Sequence, residues 1–112
     1  MTVQITKLSE NFSTAPQISA DDVAKIVQLG FKTVINNRPD NEGGADQPTS
    51  ALLQAAAEAA GLAYVHIPVI PNNIRPTQVD AFTVAYNAAG KPVLGFCRTG
   101  NRAGSIYKLS QS

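Results

Sequence analysis

The 112-residue chain contains a single cysteine, Cys97, which opens the segment Cys97-Arg98-Thr99-Gly100-Asn101-Arg102. A thiol, two guanidinium groups and a glycine within six residues are the parts of a nucleophile set in an anion-binding loop. The run Val93-Leu94-Gly95-Phe96 before it is apolar and reads as a buried strand. Ala103, Ile106, Tyr107 and Leu109 after it suit a helix. Strand, tight loop and helix turn successive backbone N–H groups into one concavity. The helix N-terminus adds partial positive charge at the same place. Cys97 is therefore expected to be a thiolate, because cations and helix N-termini favour the anion. The alternative is a buried structural cysteine beside an ordinary helix cap.

Roles follow from residue type. Cys97 is the candidate nucleophile, and the amides from Arg98 to Arg102 are placed to stabilise negative charge on or near it. Arg102 offers a planar fork for two oxygens of thiosulfate, sulfate or phosphate. Its other role is to pin the loop by bonding backbone carbonyls. Arg98 either steers anions or is a plain surface charge. Gly100 supplies a positive φ, and Thr99 and Asn101 shape the loop.

Outside this segment the signals are weaker. Arg38 and Asp40 are possible accessories in a long polar loop. Asp40 reads first as a turn residue after Pro39, and only second as a stand-in acid. Glu42 and Asp46 carry less signal still. His66, the one histidine, lies inside a predicted strand, where it reads as a packing or surface group ahead of a base.

These groups have to be positioned by a regular fold. Val3 to Ile5 alternates with polar residues and predicts an edge strand. Leu8 to Phe12 continues as a loop or second short strand, and Asn11 to Gln17 reads as a turn broken by Pro16. Ser19 and Asp22 predict a helix start, Val23, Ile26 and Val27 its apolar side, and Gly30 its end. Phe31 to Ile35 is a β-branched strand. The loop Asn36–Gln47 follows, then an alanine-rich helix from Pro48-Thr49 to Gly61. Leu62 to Ile67 is the next strand, and Pro68 to Pro76 the next loop. A helix started by Thr77 and Asp80 carries Val79, Phe82 and Tyr86 to Gly90. A last helix runs from Asn101 or Arg102 towards Leu109, with Ser110 to Ser112 frayed.

Strands alternating with helices predict an α/β fold, a mostly parallel central sheet flanked by helices. Ligands in such sheets bind beyond the carboxyl ends of the strands. Three loops converge there: Asn36–Gln47, Pro68–Pro76 and Cys97–Arg102. The cysteine loop thus lies between the last strand and the last helix.

Composition bounds the function. Apolar residues make up 44% and charged residues 15% of the chain, as in a folded domain spanning residues 1–112. A net charge of +1 gives no basic face for nucleic acid. No apolar run is long enough for a membrane, and Met1 to Glu10 has no secretory h-region. One thiol and no internal disulfide fit a reducing cytoplasm. No cysteine–histidine cluster implies a metal, and no cofactor is expected.

Cys97–Arg102 resembles the active-site loop of the cysteine phosphatase and rhodanese superfamilies. From about Leu8 onward the chain is similar to the bacterial phosphatase-like domain named after beta-lactamase-hydrolase-like proteins. The residues that carry this are Phe31-Lys32-Thr33-Val34-Ile35-Asn36-Asn37-Arg38-Pro39-Asp40, Tyr64-Val65-His66-Ile67-Pro68-Val69 and the cysteine loop. The resemblance implies a dual-specificity-phosphatase-like fold. It leaves the chemistry divided, because the loop has four residues between Cys97 and Arg102. Tyrosine and dual-specificity phosphatases have five, whereas rhodaneses have the shorter loop. The phosphatases also place an Asp general acid after the second motif strand, where this chain has Pro68-Val69-Ile70-Pro71-Asn72-Asn73-Ile74-Arg75. They place Ser or Thr after the loop arginine, where this chain has Ala103.

The reading these features favour is a cytoplasmic sulfurtransferase that moves sulfane sulfur from thiosulfate or a persulfide through a Cys97 persulfide. In related proteins such domains act beside sulfide-metabolising enzymes, so a partner of that kind is expected. The alternative is a dual-specificity-type phosphatase that hydrolyses a phosphate ester through a phosphocysteine. A third is a non-catalytic anion-binding or redox-sensing module.

Overall fold

The computed structural model describes residues 3–112. Its elements are β1 (Thr6–Lys7), β2 (Phe12–Ala15), α1 (Val23–Gln28, preceded by a 3₁₀ turn at Ala20–Asp22), β3 (Thr33–Asn36), α2 (Ser50–Ala59), β4 (Ala63–His66), α3 (Pro76–Ala88), β5 (Val93–Phe96) and α4 (Asn101–Ser110). The five strands form one sheet in the order β1-β2-β5-β3-β4. β2, β3, β4 and β5 run parallel, and β1 pairs antiparallel with β2. This is the mostly parallel α/β sheet expected from the alternation of strands and helices.

Side-chain alternation along the strands feeds two cores, one on each face. Val34, Leu94 and Phe96 join Ile18, Ile26, Leu53 and Leu62 under α1 and α2. Ile35 and Val93 join Phe12, Phe82, Tyr86, Ile106 and Tyr107 under α3 and α4. In that second core Phe12 stacks on Tyr107 with ring centroids 4.2 Å apart and meets Phe82 edge-on at 5.8 Å. Burying each such ring stabilises the fold by roughly 1.5–3 kcal/mol. The strands between the two cores are therefore stiff, and their carboxyl ends are fixed platforms.

The register decides which loops meet. Phe96 is paired with Ala15 on one side and Asn36 on the other, and Asn36 is paired with His66. The residues that follow each of these, Pro16, Cys97, Asn37 and Ile67, thus leave the sheet at one edge. Asn37 N–H donates to the Phe96 carbonyl at 2.8 Å, and Ile67 N–H to the Asn36 carbonyl at 2.8 Å. The convergence of the three loops is a direct result of this register.

Three local expectations are corrected. Val3 and Ile5 are not in a strand. They pack against the first core from irregular backbone, and the edge strand begins at Thr6. The segment read as a turn contains β2, whose four residues are all buried, with Pro16 directly after it. Parallel pairing with β5 overrides its weak apolar signal. Helix α3 is not started by Thr77 and Asp80. Pro76 occupies its first turn, and the Gln78 side chain accepts from Arg75 N–H at 2.8 Å. At the start of α1, by contrast, Asp22 accepts from Ser19 N–H at 2.8 Å, as the spacing predicted.

Candidate active site

Cys97 follows the last residue of β5 and is fully buried. Its sulfur points into the loop, since Gly100 N–H donates to Sγ at 3.1 Å. Gly100 has φ +94°, a left-handed conformation that an L side chain adopts only with strain. A Cβ there would also lie 3.4 Å from the Ala15 carbonyl oxygen. Gly100 N-caps α4, so the helix starts directly behind the sulfur. Asn101 N–H donates to Thr99 Oγ1 at 3.3 Å, which tightens the loop from within.

Arg102 is buried in the first turn of α4, and its guanidinium is largely committed. Nη1 donates to Glu42 Oε2 at 2.8 Å and to the Val69 carbonyl at 2.9 Å, while Nη2 donates to Glu42 Oε1 at 2.8 Å. An arginine has five N–H donors in a rigid plane. Three are used here. The remaining two, Nε–H and the second proton on Nη2, share one edge of the plane. One edge of the Arg102 guanidinium therefore pins the loops, as one of the two alternatives had it, and the other edge lies outside these bonds. The pKa of Arg102 is raised first by the Glu42 hydrogen bonds, against the opposing effect of burial, and in smaller part by the charge of Cys97 beside it.

Glu42 is the residue that sequence reasoning undervalued. It bridges Arg102 and Arg38, whose Nε donates to Glu42 Oε1 at 2.9 Å. The Glu42 side chain is 23% exposed, yet it faces two cations. The Arg102 hydrogen bond holds its pKa below the usual 4.5, ahead of the raising effect of burial, and Arg38 adds to the lowering. Arg38 is itself buried, and its Nη1 donates to Gln17 Oε1 at 3.0 Å. Gln17 N–H in turn donates to the Arg98 carbonyl at 3.2 Å. A closed network Arg98–Gln17–Arg38–Glu42–Arg102 therefore ties the start of the cysteine loop to its end. A Cβ at Gly43 would lie 2.6 Å from Arg38 Nη2, so a side chain there would displace that guanidinium from the network. A buried arginine at position 102 called for a counter-charge, but nothing in the local sequence chose Glu42 over Asp40 or Asp46.

Asp40 and His66 are engaged in hydrogen bonds that hold the surrounding loops. Asp40 Oδ1 accepts from Ser50 N–H at 2.8 Å, at the start of α2. It caps that helix and does not line the cavity described below. His66 Nε2 is 2.9 Å from the Arg38 carbonyl oxygen and holds the first loop against β4. Asn37 Nδ2–H donates to the Ile67 carbonyl at 2.9 Å. Arg98 is exposed and makes no side-chain hydrogen bond among the described residues.

A cavity of about 920 Å³ opens above the loop, lined by Arg98, Thr99, Asn101 and Arg102, by Arg38 and Glu42, and on the far side by Pro71, Asn72 and Ile74. Cys97 itself does not line the cavity; it is fully buried beneath the loop residues that do. Among the described residues no group of three His, Cys, Asp or Glu side chains could hold a metal ion. Among the described residues no helix is long and apolar enough to cross a membrane.

Comparison with known proteins bears on the chemistry. The family model for the phosphatase-like domain of beta-lactamase hydrolase-like proteins matches residues 4–112. A beta-lactamase hydrolase-like protein of Xylella fastidiosa is 35% identical over 109 residues, 97% of this chain and 25% of that protein. The chain thus spans about a quarter of such a relative. The crystal structure of a proposed phosphatase (nma1982) of Neisseria meningitidis is 37% identical, with a TM-score of 0.87, over 96% of this chain and 75% of that one. TpbA of P. aeruginosa, solved in a cysteine-to-serine form with phosphotyrosine, shares the fold at 21% identity and a TM-score of 0.67, over 91% of this chain and 58% of that one.

These findings overturn the sulfurtransferase reading, which rested on the loop length, the Cys-Arg-x-Gly pattern and the missing general acid. The matched family is phosphatase-like, and the match spans the six-residue loop of this chain. Loop length by itself does not set the size of the site. Arg38, Glu42 and the Pro71–Ile74 wall enlarge it well beyond a single sulfur atom. The chain belongs to the family of phosphatase-like domains of beta-lactamase hydrolase-like proteins.

Proposed function

We propose that this domain is a cysteine-dependent phosphomonoesterase. One observation carries the reading: Arg102 is locked by Glu42 and Val69, which leaves the edge with Nε–H and the second Nη2 proton outside those bonds, and Cys97 is near enough to raise its pKa. That edge matches two oxygens of a phosphoryl group, as a fork matches phosphate generally. The family and the solved relatives support the same chemistry.

In this reading the Cys97 thiolate attacks phosphorus and the P–O ester bond breaks. The bonding pair leaves on the ester oxygen, and a phosphocysteine remains. Loop amides other than those of Gly100 and Asn101, which are bonded to Cys97 Sγ and Thr99 Oγ1, and the remaining edge of Arg102 hold the charge on the equatorial oxygens. Water then attacks phosphorus, the P–S bond breaks, and thiolate and inorganic phosphate are regenerated. Glu42 is a positioning residue that keeps Arg102 in plane before substrate arrives. The exposed Arg98 attracts the dianion to the cavity mouth.

The test is hydrolysis of para-nitrophenyl phosphate and its inhibition by vanadate. Wild type is expected to release nitrophenol in a vanadate-sensitive way, and Cys97→Ser to lose at least about a thousandfold of that activity. Arg102→Lys retains charge but loses the fork, with an expected loss of roughly 10²–10³-fold. Activity of Cys97→Ser equal to wild type would contradict the proposal.

A further inference from the structure

From the disposition of every acidic group near the cavity, and resting on the phosphatase reading above, we infer that the leaving group departs without a proton from the protein. The substrates are therefore phosphate monoesters of acidic hydroxyls, phenols above all.

Protonating an ester oxygen needs an acid that holds a proton at working pH and reaches the cavity. Of the acidic side chains, Glu42 alone lines the cavity. Its two oxygens take hydrogen bonds from Arg38 and Arg102, and its pKa lies below 4.5. It is an ionised carboxylate with no proton to give. Asp40 is turned away to cap α2 through Ser50 N–H. His66 Nε2 is engaged by the Arg38 carbonyl. The wall facing the cysteine loop offers Pro71, Asn72 and Ile74, none of which carries a transferable proton. Thr99, Asn101 and Ser105 complete the lining, and a hydroxyl or amide there is no acid at neutral pH.

The consequence is a selection by leaving-group acidity. A tyrosine-like phenol has a pKa of about 10, whereas an aliphatic hydroxyl lies nearer water, at about 15.7. Without protonation, negative charge develops fully on the departing oxygen, and the rate follows that oxygen's stability. The alkoxide then loses to the phenolate by orders of magnitude. Pro71 and Ile74 are apolar members of the cavity lining, surface that an aromatic ring would cover and a short polar alcohol would not. The phenolate takes its proton from solvent after departure, and the water of the second step balances it.

The experiment is kcat/KM for a series of aryl phosphates of graded phenol pKa, extended to an alkyl phosphate, with Cys97→Ser as the blank. kcat/KM reports the step in which the ester bond breaks even where phosphocysteine hydrolysis limits kcat. The expected result is a fall approaching tenfold per unit of phenol pKa, the limit of a fully charged leaving oxygen, with alkyl phosphate at the blank. A shallow dependence, with weakly acidic phenols and alkyl phosphate turned over almost as well as nitrophenyl phosphate, would overturn the inference while leaving the phosphatase reading intact. No Cys97-dependent hydrolysis of even the most activated ester would overturn the phosphatase reading itself, and this inference with it.

Discussion

Two loops leave neighbouring parallel strands and close over the same cysteine, yet they do different work. The loop after β3 is a charged mechanism. Its Arg38 and Glu42 are bound to each other and to Gln17 and Arg102, and Gln47 braces it by accepting from Gly43 N–H and donating to the Pro39 carbonyl. The loop after β4 is a wall. Val69 gives Arg102 a backbone carbonyl, and Pro71, Asn72 and Ile74 face the cavity with no group that ionises. A site can therefore keep its anion-binding half intact while one flank carries no acid. The difference shows where specificity arises: charge recognition comes from the first loop, and the demand on the leaving group from the bareness of the second.

The contrast is sharpened first by Glu42→Ala. Losing the bridge frees Arg102 and Arg38 from their shared partner, and kcat/KM for an aryl phosphate is expected to fall on the order of a hundredfold. The exposed Asn72→Ala in the second loop is expected to change it by about twofold. Asn72→Ala proving the more damaging would reverse the assignment of work between the loops.

Acid is the next probe. Glu42 has a folded-state pKa below 4.5. The stability it contributes is then fully present above about 4.5 and is lost as pH falls through its lower, folded value. Urea unfolding followed downward from pH 6 is expected to show a loss of stability in that window. Glu42→Gln removes that component, so the wild-type and variant curves should converge in acid. Parallel curves would show that Glu42 gains nothing from its two arginines.

The smallest effect concerns Asp40, in the same loop as Glu42 but facing α2. Asp40→Ala is expected to cost about 1 kcal/mol of stability through the lost helix cap, seen as a lower melting temperature. Its kcat/KM should match wild type. A large activity loss without destabilisation would return Asp40 to the site.

How far the sequence disclosed this molecule depends on the range of the signal. β3, β4 and β5 were legible because each is a short apolar or β-branched run between turn residues. The cysteine loop was legible because its parts are contiguous. β2 was hidden because Phe12-Ser13-Thr14-Ala15 has one large apolar residue, and its burial comes from pairing with β5, about eighty residues away in the chain. Glu42 was hidden for the same reason, since its partner Arg102 is 60 residues on. The choice of chemistry failed differently. Loop length is a local count, whereas the size of the site is set by three loops together.

The central claim is that Cys97 carries a phosphoryl group, and intact-protein mass spectrometry tests it most directly. Wild-type protein is quenched in acid during turnover of an aryl phosphate and compared with Cys97→Ser treated identically. The account predicts a phosphoryl adduct on wild type, mapped to Cys97, and none at that site in the variant. Phenol release with no phosphoryl adduct at Cys97 in the quenched wild type, and undiminished in Cys97→Ser, would contradict it.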